Sequence, residues 1–219
     1  MCQEKGTGAP RGQLLLTAVV ILSVGFVISG CSSSDTPQAC FDRARAAVEK
    51  DDYAGFCRCM TSDSQTMMAG SMLMLRAMGA KFADRKGADD ETAVRMAKVD
   101  VIMKKHGLDP DKEPTGEITE DMKEMVVEFK KDLSPVKDRA VFLGEMLQVL
   151  SDPEGYGLKG PDLKAIFGGE LKNVKVEGDS ATATLVRTQN GQEQSTPYAF
   201  KLVDGIWLID VLEMGPGGL

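Results

Sequence analysis

The feature that most limits the fold is a change of period near residue 168, with helical spacing of apolar residues before it and strand patterning after it. Apolar positions recur every three or four residues on an amphipathic helix and every two on a half-buried strand, so the change divides the chain into a helical part and a sheet part. In the sheet part, residues 170–213, KNVKVEG alternates and ATATLVRT is rich in β-branched residues. TPYAFKLVDG and IWLIDVLE follow, with turn signals at Asn190-Gly191 and Asp204-Gly205. These dipeptides supply the positive φ of tight hairpins, so three or four antiparallel strands in a meander are expected. The last segment sets Trp207, Ile209 and Val211 against Ile206, Leu208 and Leu212, which predicts a strand covered on both faces.

The helical part, residues 39–150, opens with Phe41, Ala44, Ala47 and Val48 at helical spacing in Ala39 to Lys50, and Asp51-Asp52 breaks the run. A second helix starts near Tyr53 with Tyr53, Phe56, Cys57 and Met60 on one face, so the two read as a helical hairpin. QTMMAGSMLMLRAMGAKFAD is a third, methionine-rich helix. Asp89 or Asp90 caps a fourth, which closes at Lys104, Lys105, His106 and Gly107, cations and a glycine that suit a helix C-terminus. After the loop GLDPDKEPTGE, Thr119 with Glu120 and Asp121 opens a fifth, with Met122, Met125, Val126, Phe129 and Leu133 inward. Ser134-Pro135 reads as cap and first turn of a sixth bearing Val136, Ala140, Leu143, Leu147 and Leu150, and a short helix spans Asp162 to Phe167. The fold class is therefore α+β: an N-terminal helical hairpin and further helices packed on a C-terminal antiparallel sheet.

Ahead of this domain, Lys5 and Arg11 precede the uncharged apolar run Leu14 to Ile28. A membrane span needs roughly 20 apolar residues, so the shorter run fits a cleaved signal over residues 1–30. The junction Ile28-Ser29-Gly30-Cys31 resembles the lipobox of bacterial lipoproteins. The resemblance implies a diacylglyceryl group on Cys31, cleavage before it and acylation of the new amine; two or three chains make a stable anchor where one is marginal. The other reading is an uncleaved signal anchor with an incidental cysteine. Ser32 stands where the family's inner-membrane retention signal is an aspartate, so the implied place is the cell envelope, on the periplasmic face of the outer membrane. Residues 31–38 read as a polar tether and 39–219 as the α+β domain. Removing Glu4, Lys5 and Arg11 takes the net charge from −7 to −8, and an acidic body argues against binding nucleic acid or anionic lipid by charge, since both need a basic surface.

Within the sheet part, Gly178-Asp179-Ser180-Ala181 and Asp204-Gly205-Ile206-Trp207-Leu208-Ile209 resemble the C-terminal half of the nuclear-transport-factor-2-like superfamily, and CFDRARAAVEKDDYAGFCRCM resembles its first two helices. The resemblance implies a cone, a curved sheet wrapped round helices with a pocket inside. About 100 residues separate hairpin from sheet, more than a compact member needs. The intervening helices are then an insertion or an elaborated wall. The expected function is a non-catalytic, membrane-anchored envelope lipoprotein that binds a partner protein or a small apolar ligand, without a cofactor.

Chemistry-bearing residues are few. Cys40, Cys57 and Cys59 remain after Cys2 leaves with the signal and Cys31 is lipidated. A bridge across the hairpin is expected, with Cys57 favoured as partner of Cys40 by its face and Cys59 the alternative by register; three reduced thiols are the other reading. Cys57 and Cys59 lack a second pair for zinc. Met68, Met72 and Met74 suit Cu(I), although the same spacing serves core or interface packing. An isomerase- or cyclase-like enzyme of the superfamily needs a pocket base and a hydrogen-bond donor, for which Asp210 and Tyr198 are the nominated pair. The favoured reading of Asp210 is nevertheless a partly exposed or helix-capping carboxylate, and His106 suits a helix C-terminus better than a base.

Overall fold

In the computed structural model, which describes residues 35–86, 90–115, 121–150, 163–189 and 191–214, the chain enters its first helix at Thr36. Of residues 81–86, 90–92 and 189 only the backbone is described. The Thr36 hydroxyl accepts the Ala39 N–H at 3.0 Å, and Pro37 takes a first-turn position where no N–H is needed, so α1 runs Pro37–Glu49. Thr36 to Gln38, within the stretch 31–38 read as tether, are cap and helix, so the folded body begins close to Pro37. Asp51 turns the chain at φ +56, and Asp52 caps α2, Tyr53–Arg58, by accepting the Gly55 N–H at 2.8 Å.

Helices α3, Ser62–Lys86, and α4, Asp90–Lys105, follow, and Gly107 leaves α4 at φ +81. Asp121 caps α5, Met122–Asp132, by accepting the Lys123 N–H at 2.8 Å. Thr119 lies outside the described residues. The sixth helix corrects the sequence reading, for α6 is Arg139–Leu150 and Ser134-Pro135 is a turn. Proline disfavours the helical conformation of the residue before it, and the Asp138 carboxylate, accepting the Val141 N–H at 3.0 Å, does the capping. Leu163–Phe167 forms α7.

Strands β1, Glu170–Glu177, β2, Ser180–Gln189, β3, Gln192–Val203, and β4, Ile206–Ile209, form a curved, unclosed antiparallel meander in the order β1-β2-β3-β4. Asp204 and Gly205 both take positive φ at the last turn, as a two-residue hairpin requires. Asn173, at φ +54, sits in the irregularity between Lys172 and Lys175 on edge strand β1. The other edge is covered: Ile209 donates its N–H to Cys59 O at 2.8 Å and accepts the Thr61 N–H at 2.9 Å. Both devices blunt an edge that would otherwise template aggregation. The last strand also differs from expectation. It stops at Ile209, Val211–Glu213 is a 3-10 turn, and Ile206 is 51% exposed, so β4 buries one face through Trp207 and Ile209.

The sheet's inner face carries Ala181, Ala183 and Leu185 of β2, Tyr198 and Phe200 of β3, and Trp207 and Ile209 of β4. Against it stand Phe41 of α1, Phe56 of α2 and Phe167 of α7. Phe41 meets Tyr198 edge-on at 5.7 Å and Phe167 at 5.3 Å, and Phe56 meets Phe167 at 5.2 Å. Each such buried ring contributes about 1.5–3 kcal/mol, and together they occupy the space where the resemblance implies a pocket. The principal contacts of α6 are with α2, α3 and α4, and those of α5 are with α3, so these helices build a second layer behind α2. Gly144 of α6 permits that approach: a Cβ there would lie 2.6 Å from the Ala54 backbone nitrogen.

Candidate functional site

Asp210 follows the inward-facing Ile209, so by alternation its side chain turns away from the concave face, toward α3. There the Ser64 hydroxyl donates to Asp210 Oδ1 at 3.3 Å and accepts the Val211 N–H at 2.9 Å. The same carboxylate oxygen accepts the Leu212 N–H at 3.3 Å, capping the 3-10 turn, and the Thr61 and Ser64 hydroxyls meet at 2.6 Å. Burial pushes the Asp210 carboxyl above its ordinary value, against the opposing pull of the Leu212 N–H and the Ser64 hydroxyl. The arrangement is a polar clamp joining the start of α3 to the end of β4.

Tyr198 sits elsewhere, on the concave face among Phe41, Phe167 and Phe200. Burial pushes its phenol up, and the hydroxyl has no hydrogen-bond partner. Asp210 therefore does not pair with Tyr198, because it leaves the end of β4 toward Ser64 and Leu212 while β3 presents Tyr198 to the concave face. The residue that shares Tyr198's side is Arg187, whose cationic charge acts on the phenol and whose Nε is also buried without an acceptor. Ala183 lies opposite Tyr198 and Arg187 opposite Gln194, which places Ala183, Leu185 and Arg187 in one inward row. The sequence reading missed Arg187, although a charge at inward parity in ATATLVRT was the available signal; Ser64 carried none. The Tyr198 hydroxyl and Arg187 Nε are thus both buried on this face without a hydrogen-bond partner, beneath the rings that fill it.

The three cysteines are buried free thiols, so neither the Cys40–Cys57 bridge nor the Cys40–Cys59 alternative is present. Cys40 Sγ instead donates to Cys59 O at 3.7 Å and Cys59 Sγ to Gly55 O at 3.5 Å. Burial pushes both the Cys40 and the Cys57 thiol up to about 12, with the neighbouring Cys59 adding to each, which leaves them unreactive at neutral pH.

Met72 is 8% exposed within the core, while Met68 and Met74 are half-buried against it. Two residues along an α-helix rotate the side chain by about 200°, so Met72 and Met74 leave α3 on opposite sides and do not converge. His106 ends α4 as expected, 3.3 Å from Glu145 Oε2 and edge-on to Phe142 at 5.3 Å. Between α3, α4 and the loop at Leu108–Pro114 lies a crevice of about 40 Å³, room for little more than water.

Residues 1–34, on which the signal and lipobox expectations fall, lie outside the described residues. Asp35 is described, and it is fastened: its carboxylate pairs with Arg43 and accepts the Trp207 N–H. Burial pushes that carboxyl up, but the Arg43 guanidinium and the Trp207 N–H outweigh it and hold the group below its ordinary value. No helix among the described residues is long and apolar enough to cross a membrane. No family model, no curated protein and no solved structure matches the chain.

Proposed function

We propose that the chain is a lipoprotein of the cell envelope, anchored through acyl groups on Cys31, whose α+β domain is a non-catalytic binding module. The observation that carries the reading is the apolar run closing on Ile28-Ser29-Gly30-Cys31, which meets a folded body only four residues later, at Asp35. A lipid attachment point wants to stand just outside a fold, and the cysteine closes the apolar run there. The sheet and hairpin agree with a nuclear-transport-factor-2-like domain, and Ser32 favours the outer membrane, facing the periplasm. The binding role draws on the Tyr198 hydroxyl and Arg187 Nε, buried polar groups without partners that a ligand would reach only by displacing the rings around them. The non-catalytic part draws support from Asp210, whose oxygen is engaged by Ser64 and Leu212. Growth with a radiolabelled fatty acid tests the anchor: label on the wild-type chain and none on Cys31→Ala is the expected result, and equal labelling overturns it.

A further inference from the structure

The stretch from Phe167 to Gly169 stands against both of the partnerless polar groups on the concave face. Phe167, the last residue of α7, is buried 5.3 Å from Phe41, 5.2 Å from Phe56 and 6.3 Å from Tyr198. Gly169 rests on β2 beside Arg187. A Cβ there would lie 2.6 Å from Val186 O and 3.2 Å from Arg187 Cβ, so glycine alone lets the chain pass this close. The Tyr198 hydroxyl and Arg187 Nε thus lack partners behind one short segment. A buried donor left unmet carries the full desolvation cost of the group, which a ligand supplying an acceptor would recover.

A single guanidinium fastens that segment to α1. Arg45, half-buried with its guanidinium 4.8 Å from the centre of the Phe41 ring, donates from Nε to Phe167 O at 2.9 Å and from Nη2 to Gly169 O. A second tie, Lys164 to Asp51 at 2.8 Å, joins two half-exposed groups and adds little. We propose that α7 is a gate: swung outward about Gly168, it withdraws Phe167 and opens a site for a small aromatic carboxylate. The ligand's ring takes the place of the Phe167 ring between Phe41 and Phe56, and its carboxylate accepts from the Tyr198 hydroxyl and Arg187 Nε. The inference deepens the binding-module reading and rests on it. A ring is the body that fits, because Phe41 and Phe56 already pack against one. Arg187 Nε–H is a donor only, so the polar end is an acceptor, and the guanidinium charge favours an anion. In the closed form Phe167 is the protein's own stand-in for the ligand ring, and affinity is reduced by the fraction of molecules that are shut.

The test titrates the full chain in detergent micelles with p-fluorobenzoate, read by fluorine NMR against protein-free micelles. Amide hydrogen exchange over residues 163–169 is followed in parallel, and circular dichroism verifies the folding of each variant. Wild type is expected to bind, with faster exchange over 163–169 when the probe is present. Arg45→Met, which unfastens the gate, tightens binding about tenfold. Should that variant not fold, Phe167→Leu, a smaller plug in the same place, is expected to tighten it instead. Tyr198→Phe and Arg187→Met each weaken binding, by about fivefold and about tenfold. Binding with exchange unchanged or slowed over 163–169, or with affinity unmoved in Tyr198→Phe and Arg187→Met, puts the probe elsewhere; it overturns the gate and leaves the binding-module reading standing. Equal binding of p-fluorotoluene overturns the carboxylate site. No binding by any folded form overturns the gate and removes the concave face from the binding-module reading as well.

Discussion

The Asp35 carboxylate accepts the backbone N–H of Trp207, 172 residues further along the chain, and so fastens the point of entry into the fold to its last strand. The contact joins the start of α1 to the sheet that carries the concave face. It also shortens the polar stretch after Cys31, because only Ser32 to Ser34 lie between the cysteine and this fastening.

Replacing Asp35 by alanine removes a charge-assisted hydrogen bond and a partly exposed ion pair, and the expected loss is about 1–2 kcal/mol at neutral pH. Because the folded carboxyl lies below its ordinary value of 3.8, its contribution is present above that value and is lost as pH falls through the lowered one. Urea unfolding should therefore separate wild type from Asp35→Ala at pH 7 and bring them together in strong acid.

Asp210 has the opposite sign. Its folded carboxyl is raised, so its contribution is present below 3.8 and lost as pH climbs through the raised value. Asp210→Asn keeps an acceptor for Ser64 and the Leu212 N–H but carries no charge. Thermal unfolding should show wild type losing stability relative to the variant as pH rises above the ordinary carboxylate value.

Tyr198→Phe deletes a buried hydroxyl without a partner while keeping the ring against Phe41 and Phe167. The variant should equal or exceed wild type by up to about 1 kcal/mol, whereas Tyr198→Ala should lose about 3–5 kcal/mol through the cavity it leaves. Denaturant midpoints of the two variants check the contrast.

Gly144→Ala forces a methyl onto the backbone of Ala54, which has no flexible end to move aside. The expected cost is about 1–3 kcal/mol, read from the unfolding midpoint, with α6 displaced from α2.

Much of the fold was legible because periodicity reports burial directly. The hairpin at Asp51-Asp52, the helix end at Gly107 and the four-stranded meander all follow from local spacing and turn chemistry. Local signals misled where two competed: Ser134-Pro135 resembles a helix start, yet Asp138 caps the helix. The final strand looked two-faced because apolar residues continue past Ile209, where the backbone turns into a 3-10 turn that alternation does not describe. The site was less legible. Tyr198 lies on β3 and Asp210 just past the end of β4, so their opposite facing depends on where β4 stops. Ser64 reaches Asp210 across 146 residues, a contact without a local trace. Arg187 was readable in principle, since strand parity alone sets it beside Ala183 and Leu185.

The central claim, lipid attachment at Cys31, is tested most directly by an intact mass spectrum of the chain purified from membranes of its native host, followed by fragmentation of the N-terminal peptide. The account requires a chain that starts at Cys31 with a diacylglyceryl thioether and a mass shift for acylation of the amine. A chain beginning at residue 1 with an unmodified Cys31 would contradict it.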